Sequence, residues 1–246
     1  MDIITRYLKD VLNINIKGSQ ELEDYTGSYG ESPFIKKPNI LKKDELNRIM
    51  WSRLAVRMNF AFLKQQMDVL NTLYMNNSMK QSAGEKAFCK NYTLSTIFKT
   101  LGTILDVLAD EMNIVYDIKI PYSSITYGSL KGAILKNNRG ANFPKILKQL
   151  LKNRKINKLS QFRHLATHRP MMKTASGQGG MEYLPQRPKK PYSGKWDIDD
   201  FMNIKTIDYI KDCYNVILGC TETVYSQTNS SFKTKYTFTQ KIGGIK

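Results

Sequence analysis

The chain has 246 residues, 41% hydrophobic and 24% charged, with a formal net charge of +17. That balance reads as soluble and globular, not disordered, suits one sizeable core or one domain with extensions, and calls for a polyanionic partner such as nucleic acid or an anionic membrane face. Cys89, Cys213 and Cys220 show no C-x-x-C spacing and no even set, which argues against a disulfide framework and fits a reducing, cytoplasmic compartment.

In chain order, Ile3, Ile4, Tyr7, Leu8, Val11 and Leu12 recur at spacings of three and four, so residues 2–13 are expected to form a short amphipathic helix. The charges of Asp2, Arg6, Lys9 and Asp10 there argue against a secretory leader. No apolar run approaches the length of a membrane span, so no membrane partner is expected. Residues 18–39 turn polar, with Gly27, Gly30, Pro33 and Pro38, and read as a connecting loop. This N-terminal element, 1–42, precedes a helical domain expected over 43–227 and a tail over 228–246.

Asp44 and Glu45, acids favoured at a helix N-terminus, open a long helix. Ile49, Val56, Leu63 and Leu70 fall seven apart with Phe60, Met67 and Tyr74 interleaved, an apolar seam of some thirty residues and about 45 Å. Ser82 and Glu85 spell a capping box for a second helix, whose stripe runs Phe88, Leu94, Ile97, Phe98, Leu101, Ile104, Leu105, Leu108 and Met112. Cys89 beside it reads as a small buried hydrophobe. The two helices together predict an all-α fold, an antiparallel helical bundle.

Residues 114–120 alternate before Pro121 and suggest a short extended segment. Short helices are expected near 129–137 and, after Asn142 and Pro144, to about Asn153, with Leu147, Leu150 and Leu151 inward and Lys145, Lys148 and Lys152 along one outward face. A further helix should begin at Asn157 or Ser160 and end at His168, because Pro170 cannot continue it. Residues 174–196, rich in Gly and Pro, read as a long loop; Arg187, Lys189 and Lys190 interleave there with Tyr183, Tyr192 and Trp196, a pattern that suits single-stranded RNA and equally a plain flexible linker. The last helix is expected from about Asp199, burying Phe201, Ile204, Ile207, Ile210, Cys213, Ile217, Cys220 and Val224. After it Phe232, Thr234, Tyr236 and Phe238 alternate as an edge strand would.

Charge is concentrated as well as large. Residues 118–181 contain no Asp or Glu but carry Lys145, Lys148, Lys152, Arg154, Lys155, Lys158, Arg163 and Arg169 among other cations. A solvated surface usually mixes signs, so this window reads as a phosphate-binding face. The chain's two histidines, His164 and His168, both lie within it, bracketed by Arg163 and Arg169. Histidine exchanges protons near neutrality and arginine grips phosphate, so the group suits phosphate-ester chemistry.

The order Arg163-His164-x-x-x-His168 resembles the R-x-x-x-x-H signature of the HEPN superfamily, in the manner of a stand-alone Cthe-like HEPN protein; the resemblance covers roughly Lys43 to Gln227. It implies a helical domain that cleaves RNA without metal at a dimeric cleft, as toxins and antiphage effectors do, with RNA, a second copy and an antitoxin or defence partner as associates. It makes His168 the base or acid, Arg163 the phosphate ligand and His164 the polar auxiliary, where Asn is commoner. On a straight helix positions 163 and 168 lie about 140° apart. Either the helix unwinds there or two copies of the motif meet across a two-fold axis, and the resemblance favours the second.

Two other readings use the same residues. The fold is compatible with a non-catalytic RNA-binding or dimerising module. His164 and His168 have the spacing of zinc ligands, but Leu165 replaces the glutamate of H-E-x-x-H and no third histidine exists, so neither metal nor cofactor is expected.

Overall fold

A computed structural model describes residues 14, 16–17, 34–35, 43–75, 82–137, 139, 142–168, 174–176, 182–186, 201–235 and 237–238. The fold is all-α. Its helices are α1 (Lys43–Met75), α2 (Ala83–Val115), α3 (Tyr127–Leu135), α4 (Lys145–Leu151), α5 (Arg154–His168) and α6 (Thr206–Lys235). Among the described residues five short strands accompany them: β1 (Phe34–Ile35), β2 (Ala175–Ser176), β3 (Glu182–Pro185), β4 (Phe201–Lys205) and β5 (Thr237–Phe238). The expected helix over 2–13 lies outside the described residues. No described helix is long and apolar enough to cross a membrane.

The chain divides into two compact units, and α1, α2 and α6 each give part of their length to both. The first unit holds residues 1–58, 105–151 and 218–246. Ile49 and Val56 of α1, Leu105, Leu108 and Met112 of α2, and Val224 of α6 are sealed from solvent here, as the seam and stripe require. A polar network crosses this apolar interior. Arg53 donates to Glu111 (Nη2–Oε1 2.6 Å) and to Thr228 Oγ1 (3.0 Å), and the Thr228 hydroxyl in turn donates to Glu111 at 2.6 Å. The Arg53 guanidinium also lies 4.3 Å from the centre of the Tyr225 ring. Next to Glu111, Asp110 accepts a pair of bonds from Arg48, one of them 2.8 Å long. Each buried charge therefore has its counter-charge, the condition on which burial of an ion is tolerated.

Residues 114–120 are not extended. The helical spacing of buried side chains continues through Val115 and Ile118, and α2 ends instead on two left-handed residues, Asp117 (φ 49°) and Lys119 (φ 63°). The Ile118 N–H returns to the Asn113 carbonyl at 3.0 Å, and the Asn113 side chain clasps both backbone groups of Ile120 at 3.0 Å. The exit is thus built from side-chain bonding, which a period-two pattern imitates. Thr126 and Ser129 then cap α3 reciprocally, starting it two residues earlier than position 129.

The tail reading is also corrected. Helix α6 continues to Lys235, past the expected boundary at 227, because Thr228 and Asn229 are buried polar residues fixed within it, and an established helix adds further turns at small cost. Among the described residues of the tail, only Thr237–Phe238 is a strand, paired antiparallel with Phe34–Ile35, so the segment read as a loop over 18–39 carries a short strand too.

The second unit holds residues 59–104 and 152–217. Its core joins Phe60, Leu63 and Leu70 of α1 with Leu94, Ile97, Phe98 and Leu101 of α2, and with Ile210 and Ile217 of α6. Ser82 and Glu85 form the expected capping box, the Ser82 N–H donating to Glu85 Oε2 at 2.8 Å and the Glu85 N–H to Ser82 Oγ at 3.2 Å. Phe88 is 64% exposed and does not belong to the buried stripe; it stacks on Tyr92, its neighbour one turn along the same surface.

Residues 174–196 are not one loop, since β2, β3 and β4 form a small antiparallel sheet that buries Leu184 and Met202. Glu182 pins β3: its carboxylate accepts from Tyr74 at 3.2 Å and Lys90 at 3.3 Å, while its carbonyl accepts from Thr206 Oγ1 at 2.7 Å. That last bond also places the start of α6 at Thr206. Phe201 and Ile204, expected within the helix, lie on β4 instead, and Ile204 is exposed.

Candidate nucleic-acid interface

Helix α5 carries the motif, and its sequence explains where it starts. Ile156, Leu159, Phe162, Leu165 and Ala166 repeat at three and four and are all buried, so the apolar stripe begins before Asn157. Asn153 is the cap: its Oδ1 accepts from the Lys155 N–H at 2.9 Å. The helix is therefore longer at its N-terminus than Asn157 or Ser160 would make it. At its other end it is helical through His168.

Three contacts seat α5 within its unit. Phe162 stacks on Phe98 of α2 with ring centres 4.9 Å apart, and meets Tyr209 of α6 edge-on at 5.7 Å. The third is the following residue, Arg163, whose half-buried side chain lies across the backbone of α2 at Gly102. A Cβ on Gly102 would stand 2.7 Å from Arg163 Nε and 2.8 Å from Cγ, and nearer still to Cδ. Gly102 escaped the sequence reading. Its signal was a glycine in the middle of a strongly apolar helical stripe, a substitution that costs about 1 kcal/mol relative to alanine and therefore calls for a packing reason.

His164 is exposed, and so is Thr167, whose hydroxyl donates to the Arg163 carbonyl at 2.9 Å. Arg163 and His164 thus lie outside the fully buried stripe formed by their neighbours Phe162, Leu165 and Ala166. Since α5 does not unwind before its last residue, positions 163 and 168 keep the separation of about 140° around the axis. The side chain of His168 lies outside the description, as do Arg169, Arg187, Lys189 and Lys190.

The other expected phosphate ligands differ from one another. Lys145 and Lys148 belong to the first unit, where Lys145 is exposed and Lys148 half-buried on α4. Lys152 is exposed but stands in the turn after α4, so the three do not form one helical row. Arg154, Lys155 and Lys158 begin α5, which has no acid in its first turn, and the positive end of the helix dipole adds to their charge. Lys155 is in an ion pair with Asp212 of α6 (2.8 Å), so an acid-free stretch of sequence is not an acid-free surface. Lys158 is half-buried, and burial lowers its pKa below the ordinary lysine value.

No group of three or more His, Cys, Asp or Glu side chains among the described residues is arranged to hold a metal ion. Cys213 and Cys220 are buried, as expected of core thiols, and burial pushes each thiol up to about 12, which keeps it protonated. Cys89 is half-exposed, not buried.

Set against known proteins, residues 44–232 match the model of the Cthe2314-like HEPN family. Neither a curated protein nor a solved structure matches the chain.

Proposed function

The chain belongs to the Cthe2314-like HEPN family, and from that premise we propose that it is a metal-independent endoribonuclease acting as a homodimer. The observation that carries this reading is that His164 is exposed and Arg163 only half-buried on a turn that otherwise packs Phe162, Leu165 and Ala166 into the core. A histidine that served only packing would lie with those residues.

RNA supplies its own nucleophile. The ribose 2′-oxygen forms a bond to the adjacent phosphorus as the bond to the 5′-oxygen breaks, which leaves a 2′,3′-cyclic phosphate and a 5′-hydroxyl. One imidazole takes the proton of the 2′-hydroxyl and a second, protonated, gives one to the departing 5′-oxygen. Arg163 meets the charge that builds on the phosphorane oxygens. His168 fills one proton-transfer role, and the second falls to His164 or to His168 of a second copy. The helical continuity of α5 favours the second copy, because one straight helix directs positions 163 and 168 apart, and a two-fold axis lets each copy contribute a different member. Lys152, just before α5, and Arg154 at its start, both exposed, would hold the RNA backbone.

The test is cleavage of single-stranded RNA by the purified chain in EDTA, with end-group analysis of the products. Cyclic phosphate and 5′-hydroxyl ends, formed at a rate that is bell-shaped in pH around the histidine value of about 6.5, are expected. A 5′-phosphate product, or loss of cleavage in EDTA, defeats the proposal. Salt-dependent binding without cleavage would instead make the protein a non-catalytic RNA-binding module.

A further inference from the structure

We propose that Gly102 is a positioning residue, whose missing side chain leaves the channel in which the Arg163 stem lies and so sets the direction of the guanidinium. The inference goes beyond the motif to an element with no part in it, and in its catalytic half it rests on the nuclease reading above.

The argument starts from the spacing along the two helices. Phe98 and Gly102 are four residues apart on α2, and therefore on one face of it; Phe162 and Arg163 are consecutive on α5. The Phe98–Phe162 stack, at 4.9 Å, fixes how near the two helices come. One turn further along α2 that nearness leaves no room for a Cβ, which would overlap Cγ, Cδ and Nε of Arg163 together. These are atoms of the stem and not its free end, so relief requires the side chain to leave its path. Gly102 is buried and helical, a place where alanine would otherwise be the better residue. Glycine there gives up helix stability for the passage of one side chain, and that side chain is the arginine of the motif.

An arginine in a channel loses most of its conformers before substrate arrives, and less entropy remains to be lost when it grips a phosphate. With the stem diverted, the charge would remain but its aim would be lost. The expected signature is a fall in kcat with a much smaller change in KM, since remote cations still bind the RNA.

The test compares Gly102→Ala, Arg163→Ala and the double variant in thermal unfolding and in cleavage. Gly102→Ala should lower the unfolding midpoint in the native background but raise it in the Arg163→Ala background, where the obstruction is gone and only the better helix propensity remains. In cleavage, Gly102→Ala should cost at least tenfold in kcat alone and less than twofold when added to Arg163→Ala. A midpoint that moves the same way in both backgrounds overturns the channel, whatever the activity does. Reversal of the midpoint with kcat unchanged overturns the positioning role. Should the native protein itself cleave no RNA, the nuclease reading fails, and the channel stands or falls on the reversal alone.

Discussion

In the first unit Arg53 is 3% exposed and held by Glu111 and Thr228, whereas in the second Arg154 opens α5 on the surface with no acid in its own turn. Both regions are built on the same long helices, and both are rich in cations. What differs is whether a carboxylate is supplied from a neighbouring helix. Where it is, the cation has been spent on the fold; where it is not, the cation is at the disposal of something in solution. Lys155, paired in the open with Asp212, stands between these cases, because an exposed pair is worth little and is easily exchanged for a phosphate.

The comparison breaks first at the motif. His168→Ala should lower kcat by about 10²–10⁴-fold while RNA affinity survives, as expected of a proton-transfer group; equal loss of binding and of thermal stability would show that this region too serves the fold. Next in size is Glu111→Ala, which leaves the buried Arg53 without its counter-charge and should cost about 3–5 kcal/mol in urea denaturation. Cleavage per folded molecule should be unchanged, and a loss of rate in fully folded protein would mean that the network serves catalysis.

A smaller effect sharpens the same contrast. Lys152→Ala or Arg154→Ala should each reduce the slope of log affinity against log salt by about 0.7, the value for one single-strand phosphate contact. Lys155→Ala should reduce it less, since Asp212 already neutralises that ammonium. Equal slopes for all three would mean that the ion pair is open in solution.

Smallest is an effect in which the two units should not differ. Each holds one buried thiol, Cys220 in the first and Cys213 in the second, raised by burial from 9.0 to about 12. Above pH 9 the unfolded thiol ionises while the folded one keeps its proton, so the folded state loses stability as pH climbs from about 9 to about 12 and shows no thiol-linked change below. Urea midpoints at pH 8 and pH 10 should therefore converge slightly in Cys213→Ala and Cys220→Ala alike. A marked difference between the two variants would mean that burial, and not the supply of carboxylates, separates the units.

The long helices were legible because their information is local and repeated: Ile49, Val56, Leu63 and Leu70 state the same face four times, and all four are buried. The capping box at Ser82 was legible because its two residues stand three apart in the sequence. What the sequence concealed depends on distant partners. The later start of α6, after strand β4, follows from Glu182 and Thr206, 24 residues apart, and the left-handed exit of α2 from bonds of the Asn113 side chain. At the candidate site, Arg163 and His164 could be named from their order alone, but Asp212 beside Lys155 and Gly102 beneath Arg163 could not. Their contributions exist only once the helices have met.

The adjacent acids Asp110 and Glu111 have a consequence for how the chain finds its fold. A seam that repeats every seven residues can match its partner again after a slide, so apolar burial alone tolerates several alignments of α1. A slide of one seven-residue repeat, about 10.5 Å, would carry Arg48 and Arg53 away from both acids at once and strand four charges. The two pairs therefore act as a lock on alignment: they add little to the depth of the correct arrangement and much to the height of the wrong ones, so that the chain is steered to one helix register by what the others would cost.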